Sequence, residues 1–407
     1  MDNAAIISGY SVCLPYAEDC SQLIDHLKQG KRVKRQPWFT TDEEAIKCGF
    51  KGNTSVATLK HVDDSALDLL SQLVDEALEQ AMLDKHCLSG RNVRVYLTGI
   101  GPRIDGLDYK SFYNYNDVED INLTQTIMNL HASKMSQDSI SSHLARHYRL
   151  QYLPPNLNCT SNSSLTAVHL ATQGIEQGGI DIAIVLNCSK IKTQDIWFLE
   201  TQSMLDSEQV QPFGENSKGV LFAEGFSALL LESASHRRAR QRTEGIRLQT
   251  VYTQISAGRS NDASWLSTNV HKVMQAAMKQ AEITVDDLAA ILPHGNGSSV
   301  SDNAEAKALA MFVSDRQIPV LAYKGQIGYT ATGSGVIDLI IGHHTLTHHE
   351  LIAPVGNDVI IDSLASLVLT DGSVTGHNKH RLLKVGVGVD GSVIGVVMSA
   401  MQTGSAK

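Results

Sequence analysis

Short runs of Val, Ile and Leu alternate along the chain with longer stretches in which apolar residues return every three or four positions. Val93 to Thr98 and Asp181 to Leu186 are runs of the first kind, and such unbroken apolar character over so few residues predicts buried strands. Phe226 to Glu232 and Val393 to Met398 share that character. The helical period is clear from Asp64 to Met82 and from Ser164 to Gln177, which predicts amphipathic helices. Alternation of the two element types defines an α/β chain. The basic, polar segment Ser235 to Arg247 (SHRRARQRTEGIR) separates one such series from a second, so the chain divides into halves of comparable length, residues 1–240 and 241–407. No short-period repeat is visible, which argues against solenoids and propellers.

Composition narrows the class. The chain has 407 residues, 42% hydrophobic and 19% charged, enough to bury one large core or two fused halves. A net charge of -9 repels nucleic acid and anionic membrane, so neither is an expected partner. Met1 to Cys13 lacks the basic leader and apolar core of a secretion signal, and no apolar stretch is long enough to span a membrane, so a cytoplasmic protein is expected. The six cysteines show no CxxC spacing; reduced, mostly buried thiols are expected rather than a disulfide framework or zinc site. Sixteen histidines are present, but pairs such as His343-His344 and His348-His349 lack acidic or cysteine company at metal spacing, so they are read as surface or helix-end residues and no metal is expected.

Four segments carry candidate chemistry. In Asn158 to Ala171 (NCTSNSSLTAVHLA) a strand ends at a small-residue turn and a helix begins. Ser161 stands at that junction, where it is either an ordinary helix cap or a nucleophile placed against free N–H groups and the helix dipole. Pro293 to Leu309 (PHGNGSSVSDNAEAKAL) sends His294 out of a strand on a glycine turn, with Asp302 and Glu305 following on a helix; His294 is a candidate acid, base or hydrogen-bond donor. Lys324 to Gly335 (KGQIGYTATGSG) offers Lys324 and Tyr329 among small residues. Gly386, Gly388 and Gly391 form a turn that reads equally as a strand connection or as part of a site.

In order and approximate spacing, these segments resemble the signatures of the β-ketoacyl synthases over most of the chain. The family's ACSSSL-type nucleophile turn corresponds to TSNSSL at Thr160 to Leu165 and its GEGA run to QPFGENSKGVLFAEGFSALLLE at Gln211 to Glu232. Its HGTGT run corresponds to HGNGSSVSDNAEA at His294 to Ala306, its lysine-to-histidine run to KGQIGYTATGSG, and its GFGGTN loop to GVGVDGS at Gly386 to Ser392. The resemblance implies the thiolase fold: two pseudo-symmetric αβ halves in a five-layered αβαβα arrangement, the first carrying the nucleophile-position turn and the second His294 and Tyr329. It places Ser161 on the nucleophilic cysteine, His294 on the first histidine, Lys324 on the lysine, Asp338 on a supporting acid and Tyr329 on the second histidine. Val387 falls on the gating phenylalanine, and with Val389 it is a substrate-binding candidate. Cys159 falls two residues early, in the preceding strand as a packed thiol, and His169 is expected in the core.

The departures change the implied chemistry. A cysteine thiol ionises readily at a helix N-terminus, whereas a serine hydroxyl stays protonated and needs an adjacent base. Loss of one preorganised donor where two histidines stabilise an enolate costs about 3 kcal/mol. The pattern is similar to the catalytically silent β-subunit, or chain-length factor, of type II polyketide and aryl-polyene systems. That similarity implies a heterodimer with an active ketosynthase subunit, in which this chain shapes the acyl tunnel, and an acyl carrier protein as a further partner. No cofactor of its own is implied, because phosphopantetheine is carried by the acyl carrier protein. The alternative is an active serine enzyme, a transacylase or thioester hydrolase, with Ser161 activated by His294 and supported by Asp302, Glu305 or Lys324. The basic clusters Lys28 to Arg35 and Arg237 to Arg247 are read either as solvated surface or as docking sites for the acidic carrier.

Overall fold

A computed structural model describes residues 3–59, 66–99, 105–107, 110, 137–205, 209–256 and 262–401. Its strands among the described residues are β1 (Ala5–Cys13), β2 (Gln36–Pro37), β3 (Ser55–Val56), β4 (Val93–Thr98), β5 (Asn156–Leu157), β6 (Ile182–Ser189), β7 (Gly225–Ser233), β8 (Ile246–Ile255), β9 (Leu288–Leu292), β10 (Glu350–Ile352), β11 (Val374–Gly376), β12 (Arg381–Val387) and β13 (Ser392–Ala400). Nine of them hydrogen-bond in the order β5-β4-β6-β7-β1-β8-β13-β12-β9, while β2-β3 and β10-β11 form small separate ladders.

The large sheet is the same motif used twice. In the first half β4 runs parallel to β5 and β6, and β7 is antiparallel to both β6 and β1. In the second half β12 runs parallel to β9, β13 is antiparallel to β12 and β8, and Ile291 on β9 bridges in parallel to Val320. Counting the large-sheet strands from each half's own first strand, and taking the Val320 bridge as the second half's third member, both read third-second-fourth-fifth-first. They meet where Ala5, Ile6 and Ile7 of β1 pair antiparallel with Leu248, Arg247 and Ile246 of β8. The repeat extends to backbone strain. Non-glycine residues with positive φ follow the matching helices at Met82 (φ 52) and Glu282 (φ 54) and again at Arg149 (φ 52) and Ser314 (φ 57).

Strand parity explains the layers. On β6, Ala183 and Val185 join the central core with the helices Ser163–Glu176 and Ser334–His348, whereas Ile182, Ile184 and Leu186 join an outer core with Ala66–Gln80 and Gln137–His147. On β12 and β13, Leu382, Ile394 and Val396 face the same central helices, while Leu383, Val385 and Val393 face Ala263–Gln280 and Ser299–Val313. Helix, sheet, helix, sheet and helix thus stack as five layers. Being covered on both faces is why these strands read as unbroken apolar runs. The helix read from Asp64 to Met82 spans Ala66–Gln80, with Asp64 and Ser65 outside the described residues.

Four expectations are corrected here. Only Cys188 is fully buried; the other five thiols are half-buried. Cys159 is not in a strand, because β5 ends at Leu157, and its N–H instead donates to Ser163 Oγ at 2.9 Å. Within the basic segment after β7, Arg237 is buried against Glu232, which also accepts from Arg240 and His236, so this end of the cluster is spent inside the molecule. Of the first basic cluster, Lys28 pairs with Glu350 and Arg32 donates to Asn357 and the Val355 carbonyl. His169 is half-buried, with Nδ1 3.0 Å from the Val251 carbonyl. Among the described residues no helix is long and apolar enough to cross a membrane.

Candidate active site

Ser161 sits in a tight turn, Thr160–Asn162, that opens the helix Ser163–Glu176. Thr160 takes a left-handed conformation (φ 48), turning the chain so that Ser161 faces a cavity instead of the core. Asn162 fixes the turn from beneath: its amide donates to Ser392 Oγ (2.8 Å) and to the Ser392 carbonyl (3.1 Å). The β12–β13 hairpin is thereby tied to the turn, and Val387, Gly388 and Val389 are brought to the cavity wall beside Ser161.

Ser161 Oγ lies 2.6 Å from the phenol oxygen of Tyr329. Tyr329 is held by two backbone bonds to the neighbouring segment, its N–H to Leu221 and its carbonyl to the N–H of Ala223. Burial pushes its phenol above its ordinary value, against the opposing effect of hydrogen bonds with Ser161 and Asn296, so it stays protonated at neutral pH. His294 Nε2 is 3.3 Å from the Asn296 side-chain nitrogen, and the His294 ring meets the Tyr329 ring edge to face at 5.9 Å. Ser161, Tyr329, Asn296 and His294 therefore form one continuous polar string. Among the described residues no hydrogen bond joins Ser161 directly to His294.

The His294 loop is gripped from two sides. Glu305 accepts the N–H groups of His294 and Gly295, both at 2.7 Å. Asp302 accepts those of Asn296, Gly297 and Phe213, between 2.9 and 3.0 Å. Behind the loop, Lys324 and Lys384 both bond Oδ2 of Asp338, and Lys384 reaches the Pro293 carbonyl at 3.0 Å. All these side chains are buried. Burial raises Asp302 to about 6, opposed by its three N–H donors, and raises Glu305 in the same way. Burial also favours a neutral Asp338, but the two ammonium groups outweigh it and hold that carboxyl below its usual range. His294 is depressed well below an ordinary imidazole by burial first, then by Lys324 and Lys384.

Two cavities meet at Ser161. One, of about 190 Å³, is largely apolar and runs past Phe198, Leu199, Met204, Phe222 and Val389. The other, of about 240 Å³, passes His294, Asn296, Ser298, Val387 and Gly388. Ser161, Met204, Tyr329 and Val389 border both. Each residue singled out in the sequence as a candidate is in this region: Ser161, His294, Tyr329, Val387 and Val389 line the cavities, and Lys324 stands behind the loop with Asp338. Cys159 borders neither cavity. Sequence reasoning missed Asn296 and Lys384. The signal for Lys384 was a lone lysine within the apolar run LLKVGVGV, a position that demands a buried partner. Among the described residues no group of three or more His, Cys, Asp or Glu is placed to hold a metal.

A paired-half sheet with its turn, histidine loop and glycine hairpin converging on one cavity defines a thiolase-fold condensing-enzyme framework. The chain belongs to the β-ketoacyl synthase family: residues 3–237 match the β-ketoacyl synthase N-terminal domain and residues 252–357 the C-terminal domain. Similar solved structures include a type II polyketide synthase acyl-carrier protein in complex with its ketosynthase bound to the hexaketide (AntDE:AntF), with TM-score 0.83, 18% identity, and coverage of 98% of this chain and 100% of that one. The ishigamide ketosynthase/chain length factor has TM-score 0.81 and 15% identity over 98% and 99%. Among curated proteins, the spectinabilin polyketide synthase system protein NorC of Streptomyces orinoci is 28% identical over 66% of this chain and 12% of its own length. Erythronolide synthase EryA2 of Saccharopolyspora erythraea is 26% identical over 70% and 8%. The chain thus spans about a tenth of the length of these curated relatives.

Proposed function

We propose that this chain is a catalytically silent ketosynthase-like subunit, a chain-length factor. In this reading it pairs with an active β-ketoacyl-carrier-protein synthase in polyketide, aryl-polyene or fatty-acid-type biosynthesis and shapes the tunnel that receives the acyl chain. The observation that carries the reading is the 2.6 Å bond between Ser161 and Tyr329. A serine nucleophile needs a neighbour that can take its proton, and a protonated phenol cannot. His294, the imidazole that lines the site among the described residues, is directed to Asn296. Among the described residues the serine-hydrolase alternative is thus without a base bonded to Ser161.

Two further observations fit the pairing. The apolar cavity persists although the reactive sulfur is gone, as expected where the space serves an acyl chain. β5 ends the large sheet, and the segment leading into it exposes Tyr152 and Leu153, an edge suited to a partner's strand. The carrier protein and its phosphopantetheine arm enter this reading through the active partner.

The test uses the purified chain alone and the same chain co-expressed with a Cys-His-His ketosynthase, each incubated with acyl and malonyl carrier-protein thioesters. The expected result is no acyl adduct on Ser161 by intact mass, condensation in the complex only, and retention of that condensation in Ser161→Ala. An adduct lost in Ser161→Ala, or condensation by the chain alone, overturns the proposal.

A further inference from the structure

The two halves permit an internal control. Asn162 and Gly333 each close the turn before a central helix, so five residues on, Asp338 corresponds to Ala167. On the fourth strand of each half, Asn187 pairs with Ser227 of β7 and Gly386 with Ile394 of β13, the third residue of each partner strand. Two residues earlier, Lys384 corresponds to Val185. Ala167 and Val185 both lie in the central core with no exposed surface. The fold is therefore satisfied at this place by an alanine and a valine.

In the second half the same place holds an aspartate and a lysine, with Lys324 added. Burying such ions is expensive, and apolar replacements are commonly neutral or stabilising. Something other than folding must account for them. Their geometry says what it is. Lys384 Nζ bonds Asp338 Oδ2 and the Pro293 carbonyl at 3.0 Å, and Lys324 Nζ lies 3.5 Å from the same carbonyl. Pro293 is bonded covalently to His294.

We propose that Lys384 is a positioning residue for His294, acting through the Pro293 carbonyl and the shared Asp338 carboxylate to fix the imidazole against the cavity wall. This rests on the reading of the cavity as an acyl-thioester site only for its biological use; the physical role is independent of whether Ser161 reacts. The loop is held as a staple. Two lysines grip its carbonyl from behind, and Glu305 and Asp302 grip its N–H groups from the helix Ser299–Val313. The charged or titratable groups facing the imidazole are Lys324 from the short turn Lys324–Ile327, Lys384 from β12, and the Tyr329 phenol. Asp338, Glu305 and Asp302 complete the set among the described residues. The two ammonium charges add to burial in keeping the ring uncharged.

The test is side-chain NMR of histidine-labelled full-length protein, with the His294 resonance assigned by its absence in His294→Gln. In the unaltered protein the ring is expected to titrate well below a free imidazole, because burial and the two ammonium groups disfavour its charged form. In Lys384→Met its titration moves upward by a unit or more and the ring shifts change at neutral pH. In Lys384→Gln, which keeps a donor for Pro293 but no charge, the titration moves while the neutral-pH shifts remain closer to those of the unaltered protein. Far-ultraviolet circular dichroism selects the folded variants, and either one suffices. An unchanged titration and unchanged ring shifts in a folded variant overturn the proposal. The measurement is made without any acyl substrate and does not depend on whether Ser161 reacts, so the two proposals fail separately.

Discussion

Ser161 and Thr332 occupy the same place in two turns built alike. Thr160 and Ala331 precede them with φ 48 and φ 47, and each turn launches a central helix. Ser161 looks into open space and shares one bond with a phenol. Thr332 also touches the apolar cavity, but its hydroxyl is buried in a neutral network, bonded to Ser189 Oγ (2.7 Å) and Asn187 Oδ1 (3.0 Å). The next position shows a reciprocal exchange. Asn162 on the first turn lies under Gly386, where a Cβ would come within 2.4 Å of its Oδ1; Gly333 on the second turn lies against Asn187, where a Cβ would come within 2.4 Å of its Nδ2. Each contact has room for one amide, and the halves assign it to opposite partners. The backbone supplies two equivalent launching points, and the neighbours decide that one hydroxyl faces open space and the other is tied into the buried network.

The comparison breaks most severely at Asp338. Asp338→Asn leaves two buried ammonium groups without a counter-charge, and a loss of about 3–5 kcal/mol in denaturant unfolding is expected, whereas conservative exchanges at Ala167 in the other half create no such imbalance. Next comes the glycine exchange. Gly333→Ala drives a methyl group into Asn187 and should cost about 1–3 kcal/mol by the same measurement, with part of the loss recovered in Gly333→Ala combined with Asn187→Gly. The smallest effect is at the paired hydroxyls. Ser161→Ala removes one hydrogen bond at a half-open site and should cost about 1 kcal/mol or less. Thr332→Val strands two buried partners and should cost more; equal losses would mean that the two turns are environmentally alike.

Much of the architecture was legible because sheets covered on both faces write themselves as apolar runs. Val93 to Thr98 matches β4 as observed, and β7 and β13 extend one or two residues beyond the runs read for them. The internal repeat was invisible for a physical reason: it survives in strand order and backbone conformation, while the side chains at matching places, such as Ala167 and Asp338, differ in kind. At the site, Ser161, His294, Lys324 and Tyr329 were found because each stands beside a glycine or small-residue turn. Lys384 was passed over because it sits inside a strand, where chemistry is hidden by hydrophobic neighbours. Cys159 was misplaced by two residues of strand that the chain does not form. The Ser161–Tyr329 bond joins residues 168 positions apart, a separation no local pattern encodes.

The two central helices begin side by side, with Ser161 and Tyr329 between their first turns. Each helix end carries roughly half a positive charge from its aligned peptide groups. The floor of the cavity is thus electropositive by virtue of main chain alone, whichever side chains evolution places above it. A carbonyl or carboxylate oxygen in the cavity would be favoured at that floor, a directional preference that does not depend on which side chain stands at position 161.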